Sequence, residues 1–148
     1  MSISQLTTLH RFEQDKEKQA AQDLQHAEME YQQNLTRIQS VAEFRLEYMK
    51  RLSERSKVGI DSATYNHYHK FVAKLDYANE QVQIALKQSK ALVEQKKQAW
   101  LTQRSKVQAV EILQEKNVAR QQLKENRAEQ RMYDEFSVQQ YARRQTNY

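Results

Sequence analysis

Apolar residues recur along the first third of the chain at alternating intervals of three and four residues. This spacing is typical of a coiled-coil seam, because a repeat of about 3.5 residues keeps the apolar stripe facing a partner helix. It opens at Leu6, Leu9 and Phe12 and becomes regular at Leu24. The two seam positions are then Leu24, Tyr31, Ile38, Arg45 and Leu52, and Ala27, Asn34, Val41 and Tyr48. We predict a helix over about residues 4–55, in which the polar Asn34 and Arg45 fix the register.

The strongest break in the pattern is the only glycine of the chain, Gly59. A glycine just after a helix takes the left-handed conformation, and the following Ile60 can supply the apolar contact of such a stop. Asp61 or Ser62 then fits the N-cap of a second helix. We therefore predict a turn over about residues 56–61.

The second helix is predicted over about residues 62–142, followed by a frayed tail over 143–148. The seam positions that keep the alternation are Tyr65, Tyr68, Val72, Leu75, Asn79, Val82, Leu86, Ser89, Val93, Lys96, Trp100, Gln103, Val107 and Val110. After Leu113 the apolar pattern thins. No breaker interrupts the helix, since the chain contains no proline.

Two long helices joined by so short a turn must run antiparallel. The first helix would be ~75 Å long and the second ~120 Å, at 1.5 Å per residue. Folding about Gly59 places Leu6 opposite about residue 112, so residues beyond about 115 overhang. A polar helix of ~30 residues is marginal alone in water, so the overhang needs a partner. The predicted fold is all-α: one domain over 1–148, an antiparallel two-helix coiled-coil hairpin with a C-terminal helical overhang.

Composition excludes most other classes of protein. One glycine, no proline and no cysteine in 148 residues leave no means of building the many turns of a β or α/β fold, a glycine-rich phosphate loop or a thiolate site. Only 39% of residues are hydrophobic and 29% are charged. High polarity is also typical of disorder, but the regular apolar spacing argues against it.

The net charge of +5 leaves the class of partner open. The positive excess falls mainly between Lys87 and Lys106, on several faces of the helix. It suits a solvated surface, an acidic protein partner or, least well, nucleic acid. No signal pattern and no membrane-spanning apolar run is visible, so we expect a cytosolic chain that reaches a membrane only through partners.

Catalysis is poorly supported by the sequence. His67 and His69 form an H-x-H pair whose side chains diverge by about 200° on a helix, whereas helical metal ligands prefer i, i+4 spacing. Asp134 and Glu135 are adjacent carboxylates on different azimuths, which suits surface charge or a docking contact. A coiled coil offers no concave pocket. We expect no catalytic residue, no metal site and no cofactor.

An aromatic and aliphatic cluster crowds the base of the second helix. It comprises Tyr65, Tyr68, Phe71, Leu75, Ala78 and Val82. The last four follow i, i+4, i+7 and i+11 spacing, which forms a continuous ridge. Two interpretations stay open: core packing of the whole cluster, or a ridge partly exposed for a partner.

Five motifs follow one another along the chain: Gly59-Ile60, the run Tyr65-x-x-Tyr68-x-x-Phe71-x-x-x-Leu75, Trp100, Gln108-Ala109-x-x-x-Leu113-Gln114, and Glu125-Asn126-Arg127-x-x-Gln130-x-x-x-Asp134-Glu135-Phe136. In this set of motifs the chain resembles the FliJ family of flagellar type III export proteins. Their order and separations match over nearly the whole chain. The resemblance implies a non-catalytic stalk, similar to the γ subunit of rotary ATPases, that sits in the hexameric export ATPase ring and promotes its assembly and activity.

The resemblance also implies the partners: the ATPase hexamer, the membrane export-gate protein FlhA and export chaperones, at the cytoplasmic side of the inner membrane and without direct insertion. The implied gate-binding residues are Phe71, Leu75, Ala78 and Val82, the last standing where enteric members have a histidine. The implied ATPase-binding residues are Leu6, Leu9, Arg127, Gln130, Asp134, Glu135 and Phe136, with Gly59 and Ile60 forming the turn. A general coiled-coil chaperone or scaffold without ATPase coupling is the alternative.

Overall fold

The computed structural model describes residues 1–146, which form two helices and no strand. Helix α1 spans Ile3–Val58 and helix α2 spans Ser62–Thr146. The two helices pack against each other in antiparallel directions, so the predicted all-α helical hairpin is confirmed. Helix α1 continues three residues beyond the predicted end at residue 55.

Local interactions stabilise the start of α1 and the end of α2, which are the two helix ends remote from the turn. At the start of α1, the Gln5 N–H donates to Ser2 Oγ (3.2 Å) and the Ser2 N–H donates to Gln5 Oε1 (2.9 Å), a reciprocal capping box. At the end of α2, Arg143 and Arg144 occupy the last turn, where positive charge offsets the helix dipole. The predicted frayed tail is therefore wrong for residues 143–146, which are helical, while residues 147 and 148 lie outside the described residues.

The turn between the helices follows the predicted chemistry. Gly59 has a φ of +93°, the left-handed conformation that glycine adopts without strain. Asp61 is the N-cap of α2, because its Oδ1 accepts a hydrogen bond from the Thr64 N–H (3.1 Å). Hydrogen bonds from Thr64 lower the pKa of the Asp61 carboxyl. The cap is therefore fully formed above the ordinary pKa of an aspartate and is lost as pH falls through the lowered value.

Contacts within the chain group its residues into two units. One combines Met1–Lys16 with Gln103–Tyr148, and the other is Glu17–Thr102. The prediction of a single domain over 1–148 stays a prediction.

In the Glu17–Thr102 unit, the seam follows the predicted heptad positions. Ala27, Leu52 and Val72 are its buried apolar side chains. Most other predicted seam residues of this unit are half-buried. Tyr65 is exposed, however, and Thr64 takes the seam position in its place. Arg45 is also exposed and reaches across to Asp76, with Nε 2.6 Å from Oδ1. Such a solvent-exposed ion pair contributes little, about 0.2–1 kcal/mol.

The buried polar residue Asn34 has a full set of partners. Its Nδ2 donates to Ser89 Oγ (3.2 Å) and to the Ala85 carbonyl (3.4 Å), and its Oδ1 accepts from Arg37 (3.3 Å). Ser89 Oγ in turn donates to the Leu86 carbonyl (3.0 Å). A buried polar pair of this kind is satisfied at one register of the two helices and unsatisfied at others.

We expect Asn34→Leu to raise the free energy of unfolding by about 1 kcal/mol while weakening the preference for one register. Ser89 keeps its bond to Leu86, so the substitution leaves no buried hydroxyl unpaired. Thermal unfolding followed by circular dichroism measures the stability, and sedimentation velocity counts the species. A variant that is less stable than the wild type and still a single species would contradict the register role.

In the unit that contains both chain ends, three apolar side chains are buried: Leu6, Val107 and Val110. Polar contacts continue the seam. His10 Nε2 lies 3.1 Å from Glu111 Oε1, and Gln103 Nε2 donates to the Glu13 carbonyl (2.9 Å). Phe12, which the apolar pattern included, is instead 54% exposed, with the Lys16 ammonium 4.3 Å from its ring centroid. The seam keeps its period here, with the apolar Leu6 and the polar His10 and Glu13 at positions that meet α2.

Candidate docking surfaces

The four residues of the predicted ridge, Phe71, Leu75, Ala78 and Val82, are here called the α2 ridge. Each of them is half-buried. The Phe71 ring stacks on Tyr48 of α1, with centroids 4.1 Å apart and planes inclined by 24°. Tyr48 also meets the edge of the Tyr68 ring at 6.0 Å.

This packing combines the two interpretations that the sequence left open. The α2 ridge contributes to the contact between the helices, and each of its members also keeps part of its surface in solvent. The stack on Tyr48 restrains the Phe71 ring. A restrained, half-exposed aromatic side chain is a favourable contact for a partner, because less side-chain freedom is lost on binding.

The second surface is the C-terminal part of α2, here called the overhang, residues 118–146. Asn117 is opposite the start of the chain, since its Nδ2 donates to the Met1 carbonyl (3.4 Å). Every described residue after Asn117 is exposed. The overhang was predicted to begin beyond about residue 115, and the structure agrees to within a few residues.

The overhang exposes large apolar side chains along its whole length. They include Met132 (70% exposed) and Phe136 (59% exposed), and the full set is Val118, Leu123, Met132, Tyr133, Phe136, Val138 and Tyr141. Met132, Tyr133 and Phe136 lie within about 100° of one another around the helix, and such a group of exposed apolar side chains is typical of a surface that contacts a partner.

The residues predicted to bind the ATPase do not form one surface. Leu6 is buried against α2 and Leu9 is half-buried, so both pack within the hairpin. Arg127 lies ten residues beyond Asn117, about 15 Å farther along the helix. The structure therefore does not bring the start of α1 together with the predicted residues of the overhang.

Within the overhang, three of the five predicted residues share one face, while Glu135 and Phe136 each lie on another part of the helix surface. Arg127, Gln130 and Asp134 follow i, i+3, i+7 spacing and share one face, where Gln130 Nε2 donates to Asp134 Oδ1 (3.3 Å). Phe136 lies about 160° away around the helix axis, at 100° per residue. It is next to Met132 and Tyr133, which line one shallow depression with it.

The described residues show no group of three or more His, Cys, Asp or Glu side chains that could hold a metal ion. His67 and His69 are both exposed. The His69 ring meets the edge of Tyr65, with centroids 4.4 Å apart.

Comparison with known proteins shows the family of the chain. The family model described as Flagellar FliJ protein matches residues 1–146. The chain belongs to the FliJ family. A curated relative, the Flagellar FliJ protein of Salmonella typhi, is 29% identical over 106 residues, which cover 72% of this chain and 72% of the relative. No solved structure matches the chain.

Membership of the FliJ family makes this chain a component of the flagellar protein-export apparatus. Across residues 1–146, neither helix has a stretch apolar enough to cross a membrane. The match includes both the α2 ridge and the overhang.

Two features of this FliJ-family chain are missing from the sequence-based predictions. Tyr48 was assigned to the seam, but its stack with Phe71 requires the facing helix to be known. Met132 and Tyr133 were also not singled out as docking residues, although they line one depression with Phe136. Plotting the overhang at 100° per residue would have found them, because all three lie within about 100° of one another.

Proposed function

We propose that the chain is a non-catalytic stalk of the flagellar export machinery, which enters the hexameric export ATPase ring and promotes its assembly and activity. The observation that carries the proposal is the overhang. Its residues are helical, exposed and rich in large apolar side chains. A helix without a partner of its own is marginal in water, and most helical stability in proteins comes from packing. A ring that encloses the overhang would supply that packing.

The same proposal gives the α2 ridge the role of contacting the membrane export gate. The ridge belongs to the Glu17–Thr102 unit, whereas the overhang belongs to the other unit, so the two surfaces do not share residues. Separate surfaces let one chain contact two partners at once, which coupling the ATPase to the gate requires. Handling of export chaperones, and a place on the cytoplasmic side of the inner membrane through these partners, belong to the same proposal.

The test is to add the full chain to the cognate export ATPase. We expect faster ATP hydrolysis, together with a shift of the ATPase toward the hexamer in size-exclusion chromatography. Unchanged hydrolysis, combined with binding of export clients, would instead favour a coiled-coil scaffold without ATPase coupling. Unchanged hydrolysis without client binding would reject both functions.

The gate contact is tested by Phe71→Ala. We expect at least about a tenfold loss of affinity for the cytoplasmic linker of the gate protein, because truncating an aromatic anchor is among the costliest changes at an interface. Loss of the stack on Tyr48 should also lower the free energy of unfolding by about 1–2 kcal/mol. Calorimetry measures the affinity, and circular dichroism verifies that helicity is retained.

Tyr77→Ala is the matched control for this experiment. Tyr77 is an aromatic residue of the same helix, lies outside the α2 ridge and is 65% exposed. Its removal should change gate affinity less than twofold. Equal affinities for the wild type and the Phe71→Ala variant would reject the gate role of the ridge.

A further inference from the structure

Charged side chains between Glu111 and Arg131 are sorted by sign onto opposite faces of α2. The basic face comprises Lys116, Arg120, Lys124, Arg127 and Arg131. The acidic face comprises Glu111, Glu115, Glu125 and Glu129. At 100° per residue, the members of each set lie within about 40° of a common direction, and the two directions are about 180° apart.

This arrangement does not stabilise the helix that carries it. Lys116, Arg120 and Lys124 are spaced i, i+4, i+8, and Arg127 and Arg131 are again four residues apart. Like charges four residues apart repel and destabilise an isolated helix, whereas alternating signs at that spacing would stabilise it. The sorting therefore suits contacts with something outside the helix.

The basic face is also available for contact. All five of its side chains are exposed, and none of them takes part in an ion pair within the described residues. On the acidic face, Glu111 is already in contact with His10 of α1. Glu115, Glu125 and Glu129 are exposed as well, so the two faces differ mainly in sign.

We infer that the basic face of α2 docks on an acidic protein surface. The identity of that partner rests on the proposed function, under which the acidic surface belongs to the export ATPase ring. Charge complementarity selects a protein, because a protein surface can hold charges of both signs at fixed positions around a helix. The acidic face then opposes docking in the reversed orientation, since like charges across an interface are unfavourable.

Two other occupants fit the arrangement less well. A second copy of the chain would place one basic face on one acidic face and leave the other two unpaired, so the assembly would stay open rather than close as a dimer. A lipid surface requires a wide apolar face between the basic residues. From Lys116 to Arg131, Leu123 is the large apolar side chain on the basic side, while Val118 lies on the acidic side.

The test compares three paired variants of the full chain for affinity to the cognate ATPase. Arg120→Gln with Arg127→Gln removes two charges from the basic face, and we expect about a tenfold weaker complex that is less sensitive to salt. Arg143→Gln with Arg144→Gln removes the same net charge near the end of the helix, and the complex should weaken less than twofold. Glu125→Gln with Glu129→Gln should bind as tightly as the wild type or more so.

Equal affinities for the three variants, or weaker binding by the acidic-face pair alone, would overturn the inference while leaving the proposed function intact. If the wild-type chain does not bind the ATPase, the proposed function fails, and immobilised poly-glutamate then decides the inference separately. Elution of the basic-face pair at lower salt than the Arg143 and Arg144 pair supports an acidic polypeptide as the ligand. Elution of the two variant pairs at the same salt concentration rejects it. Binding that depends on the basic face but occurs only with phosphatidylglycerol vesicles or with duplex DNA rejects it as well.

Discussion

A chain that ends at Asn117 is expected to lose all stimulation of the export ATPase while its hairpin stays folded. Every buried side chain of the described structure lies at or before Val110, so truncation after Asn117 leaves the packed seam intact. The lost segment contains the exposed apolar residues of the overhang and four of the five residues of the basic face. ATP hydrolysis in the presence of the truncated chain should therefore fall to the rate of the ATPase alone.

Two measurements make this result specific. The melting temperature should match that of the full chain, because no buried contact is removed. A chain ending at Ala142 should retain most of the stimulation, since it keeps Met132, Tyr133 and Phe136. Full stimulation by the chain that ends at Asn117 would mean that the ATPase contacts the hairpin rather than the overhang.

Val107→Asp is expected to produce the largest loss of stability of any single change considered. Val107 is only 4% exposed, and an aspartate there would place an unpaired carboxylate against the other helix. The cost should be at least about 3 kcal/mol. For a chain of this size, a loss of that magnitude lowers the melting temperature by roughly 10 °C. Circular dichroism at increasing temperature measures both the shift and the loss of helix.

Val138→Asp is the matched control for this prediction. It makes the same substitution in the same helix, but Val138 is 66% exposed. Its melting temperature should change by less than about 2 °C, because surface substitutions usually cost under 0.5 kcal/mol. Equal shifts for the two variants would mean that Val107 does not pack in the folded chain in solution.

Local rules of helix formation made much of this protein predictable from its sequence. Gly59 and Asp61 act through their own backbone and nearest neighbours, so the turn could be placed before any contact was known. The seam period then set the register of the two helices. Together they predicted the start of the overhang to within a few residues of Asn117, because the lengths of the two arms follow from the position of the turn.

The candidate site was less predictable, because exposure depends on the facing helix. Tyr65 fits the seam spacing as well as Thr64 does, yet the structure leaves Tyr65 in solvent. Phe12 is apolar, but its position is turned away from α2 and His10 meets the facing helix instead. Leu6 shows the converse, since the resemblance marked it for docking and the structure buries it.

The sequence by itself determined the two helices, the turn at Gly59 and the unequal arms, because helical period and backbone conformation are properties of neighbouring residues. Only the tertiary structure decided which seam positions are polar contacts, that Phe71 is held by Tyr48, and that Phe12 and Tyr65 stay in solvent. These depend on pairs of residues far apart in the chain. Their distances are fixed only when α1 and α2 are packed together.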